Sequence, residues 1–215
     1  MKKEEREVLL RARLLEMKSY ENVLYQKGVK FIGGVDEVGR GPLAGPVYAA
    51  CVVLPEDFDL LGVDDSKKLT EKKREELYEG ICATAISYGV GFVENNVIDE
   101  IGIVPATKKS MLQAVAEANK KLLSNGNKIE HLLIDAVKLN EAGIPYDAII
   151  GGDSKSVSVA AASIIAKVSR DRLMKKWDKV YPGYSFSSNK GYGTKAHYEG
   201  LNKLGPCPIH RRTFL

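Results

Sequence analysis

Asp36 and Glu37 are adjacent carboxylates that close a short apolar run and open onto the turn Gly39-Arg40-Gly41. Asp135 closes a second apolar run, Leu132-Leu133-Ile134, and Asp153 follows Gly151-Gly152. Acids at the ends of strands from separate parts of a chain can converge at one edge of a sheet. Carboxylates placed against a core need compensation for their charge. A metal ion is one compensation, and an oxygen-only donor set suits magnesium or manganese. Two divalent ions about 4 Å apart, held by several such acids, catalyse in-line phosphoryl displacement. Acid pairs at strand ends also serve as solvated turn residues or helix caps, and the pattern alone leaves both uses open. Neighbouring strand residues face opposite sides of a sheet. Asp36 and Glu37 can therefore share a site only if their strand ends or bulges near Glu37, which Gly39 and Gly41 make plausible. Glycines there also let another backbone or a nucleic-acid strand come close.

The elements that must position these acids are readable from periodicity. Strands are predicted over 31–37, 47–54, 88–94, 131–137 and 147–150. A charged amphipathic helix is predicted over 3–27, packed through Val8, Leu9, Leu14, Leu15, Val23 and Leu24. Thr70 caps a helix running to about 87. Met111, Val115, Ala118 and Leu122 mark the buried face of a helix over 105–123, stopped by Gly126. An alanine-rich helix spans 156–179, with Ala160-Ala161-Ala162-Ser163 allowing close packing, and a short helix spans 195–204. Strands mixed with helices imply an α/β mixed sheet flanked by helices, with a helical C-terminal region. The organisation is an N-terminal helical extension (1–30), a core (31–180) and a C-terminal loop and helix region (181–215), in one folding unit.

Composition narrows the class. With 215 residues, 44% of them hydrophobic, the chain can fill a core. A net charge of +4 permits phosphate binding without demanding it. Cys51, Cys82 and Cys207 form no C-x-x-C pair, which argues against zinc and a disulfide framework and for a reducing, cytoplasmic setting. No apolar run is long enough to span a membrane.

The segment GGVDEVGRGPLAGPV (33–47) resembles the N-terminal signature of ribonuclease HII, the type 2 ribonuclease H family. The resemblance continues through DDSKKL (64–69), LLIDA (132–136), GGDSKSVSVAAASIIAKVSRD (151–171), YPGYSFSSNKGYGTKAH (181–197) and GPCPIHRRTF (205–214). It implies a ribonuclease H-like fold and a divalent-metal-dependent endonuclease. The implied substrates are the RNA strand of RNA–DNA hybrids and duplex DNA carrying a single ribonucleotide, cut on the 5′ side to leave 3′-hydroxyl and 5′-phosphate ends. The implied metal ligands and catalytic acids are Asp36, Glu37, Asp135 and Asp153, holding two Mg2+ or Mn2+ ions. Asp171 is a nearby acid outside that set.

Gly39-Arg40-Gly41 matches the family's ribonucleotide reader, and the 2′-hydroxyl is what marks a ribose. Tyr192 matches the tyrosine that stacks on the deoxyribose following the ribonucleotide. Lys67, Lys68, Lys167, Arg170 and Lys190 are candidate phosphate contacts, of which two or three are expected to matter. His131 is expected to be structural, and His197 and His210 receive no catalytic role. A monomer acting on nucleic acid, without a membrane, is expected. The alternatives are a ribonuclease HIII-like hybrid nuclease, a catalytically inactive hybrid-binding protein, and a magnesium-dependent phosphatase of small molecules. The Arg40 and Pro42–Pro46 pattern favours HII over HIII.

Overall fold

A computed structural model of the protein describes residues 3–215. Five strands form one sheet: β1 (Ile32–Val38), β2 (Val47–Val53), β3 (Ser87–Val93), β4 (His131–Asp135) and β5 (Tyr146–Ile149), in the order β3-β2-β1-β4-β5. The pairs β1–β2 and β2–β3 are antiparallel, whereas β1–β4 and β4–β5 are parallel. The mixed sheet and the helical C-terminal region agree with the expected class.

Two helices cover the sheet. Ala50 and Val52 point to one face, where they pack on Ala161, Ile164 and Ile165 of the helix Val157–Val180. Val35, Ala49, Cys51 and Val53 point to the other, against Met111, Ala114, Val115, Ala118 and Leu122 of the helix Ile103–Leu123. The period-2 alternation of the strands meets a 3.6-period stripe on each helix. The predicted core face of the second helix is buried as expected. Pro105 lies in its first turn, where a missing N–H costs little. Both helices approach the sheet closely. A Cβ on Gly34 would lie 2.1 Å from the Ser158 carbonyl carbon, and one on Gly91 2.1 Å from the Ser110 oxygen.

In chain order the helices are α1 (Lys3–Met17), α2 (Ser19–Gln26), α3 (Glu71–Thr84), α4 (Asn95–Ile101), α5 (Ile103–Leu123), α6 (Val157–Val180), α7 (Phe186–Asn189) and α8 (Lys195–Leu204). Thr70 caps α3 by accepting from Lys73 N–H, and Ser156 caps α6 through Val159 N–H. α4 and α7 escape sequence reading because each is too short to show a period.

The N-terminal segment departs from expectation. It is two helices meeting at Lys18, and Val8, Leu9, Leu15 and Val23 are exposed. The buried line is Leu14, Met17, Glu21 and Leu24, spaced 3, 4 and 3 residues apart, which is a narrow seam. Leu14 and Met17 join the α6-side core, and Leu24 packs with Ile32, Leu133, Ile149 and Val159. At the other end of α6, Ala44, Met174, Tyr184, Phe186, Cys207 and Ile209 form a smaller cluster that ties the C-terminal region to the loop between β1 and β2.

Candidate active site

The strand topology brings the four acids together. β1 and β4 run parallel and pair as far as Val35 and Ile134. One step further in the same register, Asp36 stands level with Asp135. β4 stops there, while β1 continues beside β2 through Glu37 and Val38 without a bulge. The sheet splits at this point. Glu37 faces the opposite side from Asp36 but borders the same gap, because its strand ends one residue later. This answers the adjacency problem through the end of a strand and the loss of a neighbour. Beyond β5 the chain turns through Gly151, whose φ is +66°, into the short 3-10 turn Gly152–Ser154. Gly152 N–H donates to Asp135 Oδ1 at 2.7 Å, and Asp153 is buried beside it.

The electrostatics are those of crowded, poorly solvated acids. Burial pushes the Asp36 carboxyl well above its ordinary range, and the charges of Glu37 and Asp135 add to the effect. Contact with Ser163 and the Glu37 N–H, 2.7 Å from Asp36 Oδ1, opposes it. Burial also raises Glu37, against the Arg40 guanidinium at 3.2 Å, and Asp135, against the Gly152 N–H. Lys67 Nζ sits 3.2 Å from Asp153 Oδ2. Its loop is held in place from two sides. Asp65 accepts from Lys67 N–H, and Ser66 Oγ lies 2.9 Å from Ser163 Oγ on α6.

Among the described residues, no three His, Cys, Asp or Glu side chains are arranged to hold a metal ion as they stand. The donor set nonetheless fits one. Glu37 Oε2 is buried without a hydrogen-bond partner, an arrangement that normally costs free energy. Two of the carboxylates already take a cationic counter-charge, from Lys67 and Arg40. A hard divalent ion answers the same need with oxygen ligands alone.

The expected nucleic-acid contacts divide by exposure. Lys67 and Lys68 are exposed. Arg40 is half exposed beside Glu37. Tyr192 presents 41% of its surface, and its Cε1 lies 3.8 Å from where a Cβ on Gly41 would be. Lys167 is mostly covered and paired with Asp171 at 2.8 Å. Lys190 is buried, its Nζ donating to the Ser187 carbonyl. Arg170 is a correction: it is fully buried, and its donors go to the carbonyls of Pro46, Lys190 and Ala44. Helical spacing with Lys167 suggested a shared phosphate-facing stripe. Arg170 does lie on the stripe of Ser163 and Lys167, but there the loop between β1 and β2 packs over α6 beside Met174 and its carbonyls take up the guanidinium.

Sequence reasoning missed two supports from the N-terminal helices. Glu21 is buried and accepts from Ser156 Oγ (2.6 Å) and Ser158 N–H (3.0 Å) at the start of α6. A carboxylate there is favoured by the helix dipole. Arg13 bridges Asp64 and the Ser154 carbonyl, at 2.9 and 2.7 Å. One side chain thus links the Lys67 loop to the Asp153 turn. The available signal was the spacing of Glu21 with Leu14, Met17 and Leu24.

His197 and His210 form a directed chain. The Tyr192 carbonyl can only accept, so His197 Nδ1 at 2.9 Å carries the hydrogen and its Nε2 is an acceptor. His210 Nε2, 3.0 Å away, then donates, and His210 Nδ1 accepts from Cys207 N–H. Both rings are therefore neutral. Burial lowers both, His210 to about 4. The unfolded chain takes protons near pH 6.5 that the folded one refuses, so stability falls as pH drops from about 6.5 toward about 4. Melting temperature followed from pH 6.5 to 5 should decline in the wild type and decline less in His210→Gln. An unchanged slope in the variant would refute the neutral pair.

A groove of about 790 Å³ lies away from the acids, between α2 and β5, lined by Tyr20, Val23 and Ile150. No helix among the described residues is long and apolar enough to cross a membrane.

Comparison with known proteins gives the family and supports the fold. The family model described as Ribonuclease HII matches residues 33–215. Ribonuclease HII of Caldanaerobacter subterraneus subsp. tengcongensis is 55% identical over 203 residues, covering 94% of this chain and 81% of the relative. The solved ribonuclease H2 of Pyrococcus horikoshii OT3 superposes with a TM-score of 0.69 at 29% identity, covering 85% of this chain and 93% of that one. The ribonuclease HII solved with PCNA from Archaeoglobus fulgidus gives 0.70 at 28% identity, covering 86% and 95%. The chain belongs to the ribonuclease HII family of divalent-metal-dependent endonucleases.

Proposed function

We propose that the protein cleaves the RNA strand of RNA–DNA hybrids and incises duplex DNA on the 5′ side of a single embedded ribonucleotide, leaving 3′-hydroxyl and 5′-phosphate ends. The observation that carries this is the split between β1 and β4. Four acids from three chain segments border it, and a glycine turn and an exposed tyrosine adjoin it.

Asp36, Glu37, Asp135 and Asp153 would hold two Mg2+ or Mn2+ ions. Such ions, when bound, supply charge neutralisation at the scissile phosphate and activation of water, so no protein nucleophile is required. The chain's own residues supply the placement. Gly152 N–H and Ser163 orient Asp135 and Asp36. Lys67 is free to exchange Asp153 for a phosphate oxygen once a cation takes over its counter-charge role. None of the described backbone hydrogen bonds uses the N–H of Gly39, Arg40 or Gly41, which leaves three donors for a ribose and its phosphate. Tyr192, beside Gly41, offers a flat face to the next sugar.

A duplex carrying one ribonucleotide tests this. Incision mapped to nucleotide resolution should fall 5′ to the ribonucleotide with magnesium or manganese present, and disappear with a chelator. Cutting confined to long RNA tracts would point to HIII-like behaviour. Tight hybrid binding with no metal-dependent cleavage would mark an inactive binding protein.

A further inference from the structure

Arg170 and Arg211 are both fully buried, yet neither makes an ion pair with a carboxylate among the described residues. Their donors all go to backbone carbonyls. Arg170 binds those of Pro46 (2.9 Å), Ala44 (3.1 Å) and Lys190 (2.8 Å). Arg211 binds those of Gly45 (2.9 Å), Arg40 (2.8 Å) and Gly39 (2.5 Å), with its guanidinium over the Phe214 ring. Most of the carbonyls from Gly39 to Pro46 therefore turn inward onto two cations.

A peptide carbonyl pulled inward tends to turn the following N–H outward, because the peptide unit is planar. Inward carbonyls at Gly39 and Arg40 thus accord with the unused N–H groups of Arg40 and Gly41. Burial of a charge is costly unless strong hydrogen bonds answer it, so such an arrangement needs a purpose. Arg170 also reaches Lys190, two residues before Tyr192. Leu43 N–H donates to Gly191 O at 2.8 Å, on the same side. The fit is tight: Gly39 has φ +91°, and a Cβ on it would lie 2.3 Å from Arg170 Nε.

We propose that Arg170 and Arg211 are positioning residues forming a buried frame that fixes the separation between the Gly39–Gly41 turn and Tyr192. The frame thereby sets the preference for a ribonucleotide followed by a deoxyribonucleotide. This rests on the assignment of that turn and of Tyr192 as substrate contacts. Fixed spacing matters because a sugar read by the turn and the next sugar read by the ring must be engaged together. A frame that loosened would still let the turn find a ribose somewhere in a continuous RNA tract. It would lose the junction, where only one register satisfies both.

Arg170→Lys and Arg211→Lys keep a positive charge but replace a planar fork with a compact ammonium that cannot span three carbonyls. Each variant, checked for folding by circular dichroism, is assayed on the single-ribonucleotide duplex and on a long RNA–DNA hybrid. The expected result is a loss in kcat/KM of about tenfold to a hundredfold on the former, clearly exceeding the loss on the latter. Equal losses on both substrates, or none, overturn the frame. Tyr192→Ala assayed alongside separates the failures. If Tyr192→Ala is selective and the lysine variants are not, the frame alone has failed. If none is selective, the substrate assignment has failed with it. Should neither lysine variant fold, hydrogen exchange of the wild-type protein decides. Amides of 39–41 and 190–192 should gain protection together on the single-ribonucleotide duplex, and protection of one segment alone overturns the frame.

Discussion

Asp36→Asn is expected to lose cleavage by on the order of 10²- to 10³-fold, the scale seen when a group that stabilises a charged transition state is removed. The same variant, in the absence of divalent ions, should melt at a higher temperature than the wild type. The folded-state value of Asp36 lies above its unfolded value. As pH rises, the unfolded chain therefore releases this proton first, and the carboxyl costs stability once pH passes the ordinary carboxylate range. An amide of the same shape removes that cost and keeps an oxygen for Ser163 or the Glu37 N–H. Each kcal/mol regained corresponds to about 2–4 °C for a chain of this size. Cleavage assays and thermal melting in chelator check both parts. Near-normal turnover would sink the assignment of Asp36 as a metal ligand. A lower melting temperature would show that the buried carboxyl stabilises the free protein.

Tyr192→Ala should impair incision at a single ribonucleotide far more than cutting of a long hybrid. Stacking of an aromatic ring on a nucleotide is worth about 1–3 kcal/mol, or roughly 5- to 150-fold in rate or affinity. The ring is exposed and adjoins the glycine turn, while its backbone carbonyl is held by His197. Truncating the side chain leaves that carbonyl in place, so the loop should keep its course. Comparing kcat/KM on the two substrates checks the prediction. Equal losses on both would refute a junction-sensing role.

The acids stood out in sequence because each lies at or just beyond an apolar run. That pattern alone left turn and cap roles open, and the four-acid set came from the family resemblance. In the fold only Asp135 ends its strand, while Asp36 and Glu37 lie within β1 and Asp153 in the turn after β5. All five strands and the long helices α5 and α6 were legible through periodicity, with ends shifted by a residue or two. What sequence could not supply was direction. Arg170 carries the same chemistry on either side of α6, and only the packing of the β1–β2 loop over Met174 turns it inward. Lys190 is similar: its left-handed backbone, with φ +54°, folds the side chain back onto Ser187. The N-terminal helices misled for the opposite reason. Their apolar residues outnumber the buried ones, so periodicity over-assigned the stripe, while the residue that matters most for contact with α6 is the acidic Glu21.

Arg13 and Glu21 lie before residue 33, where the family match begins, yet both hold parts of the site in place. Arg13 straps the Lys67 loop to the Asp153 turn, and Glu21 seats the first turn of α6. The stretch of chain that carries a family's signature and the stretch that works as one mechanical part therefore have different boundaries. Homologous cores with unlike N-terminal segments would share the same acids while differing in how stiffly those acids are mounted. Rate and heat tolerance can then diverge between relatives without any change in the residues that touch substrate.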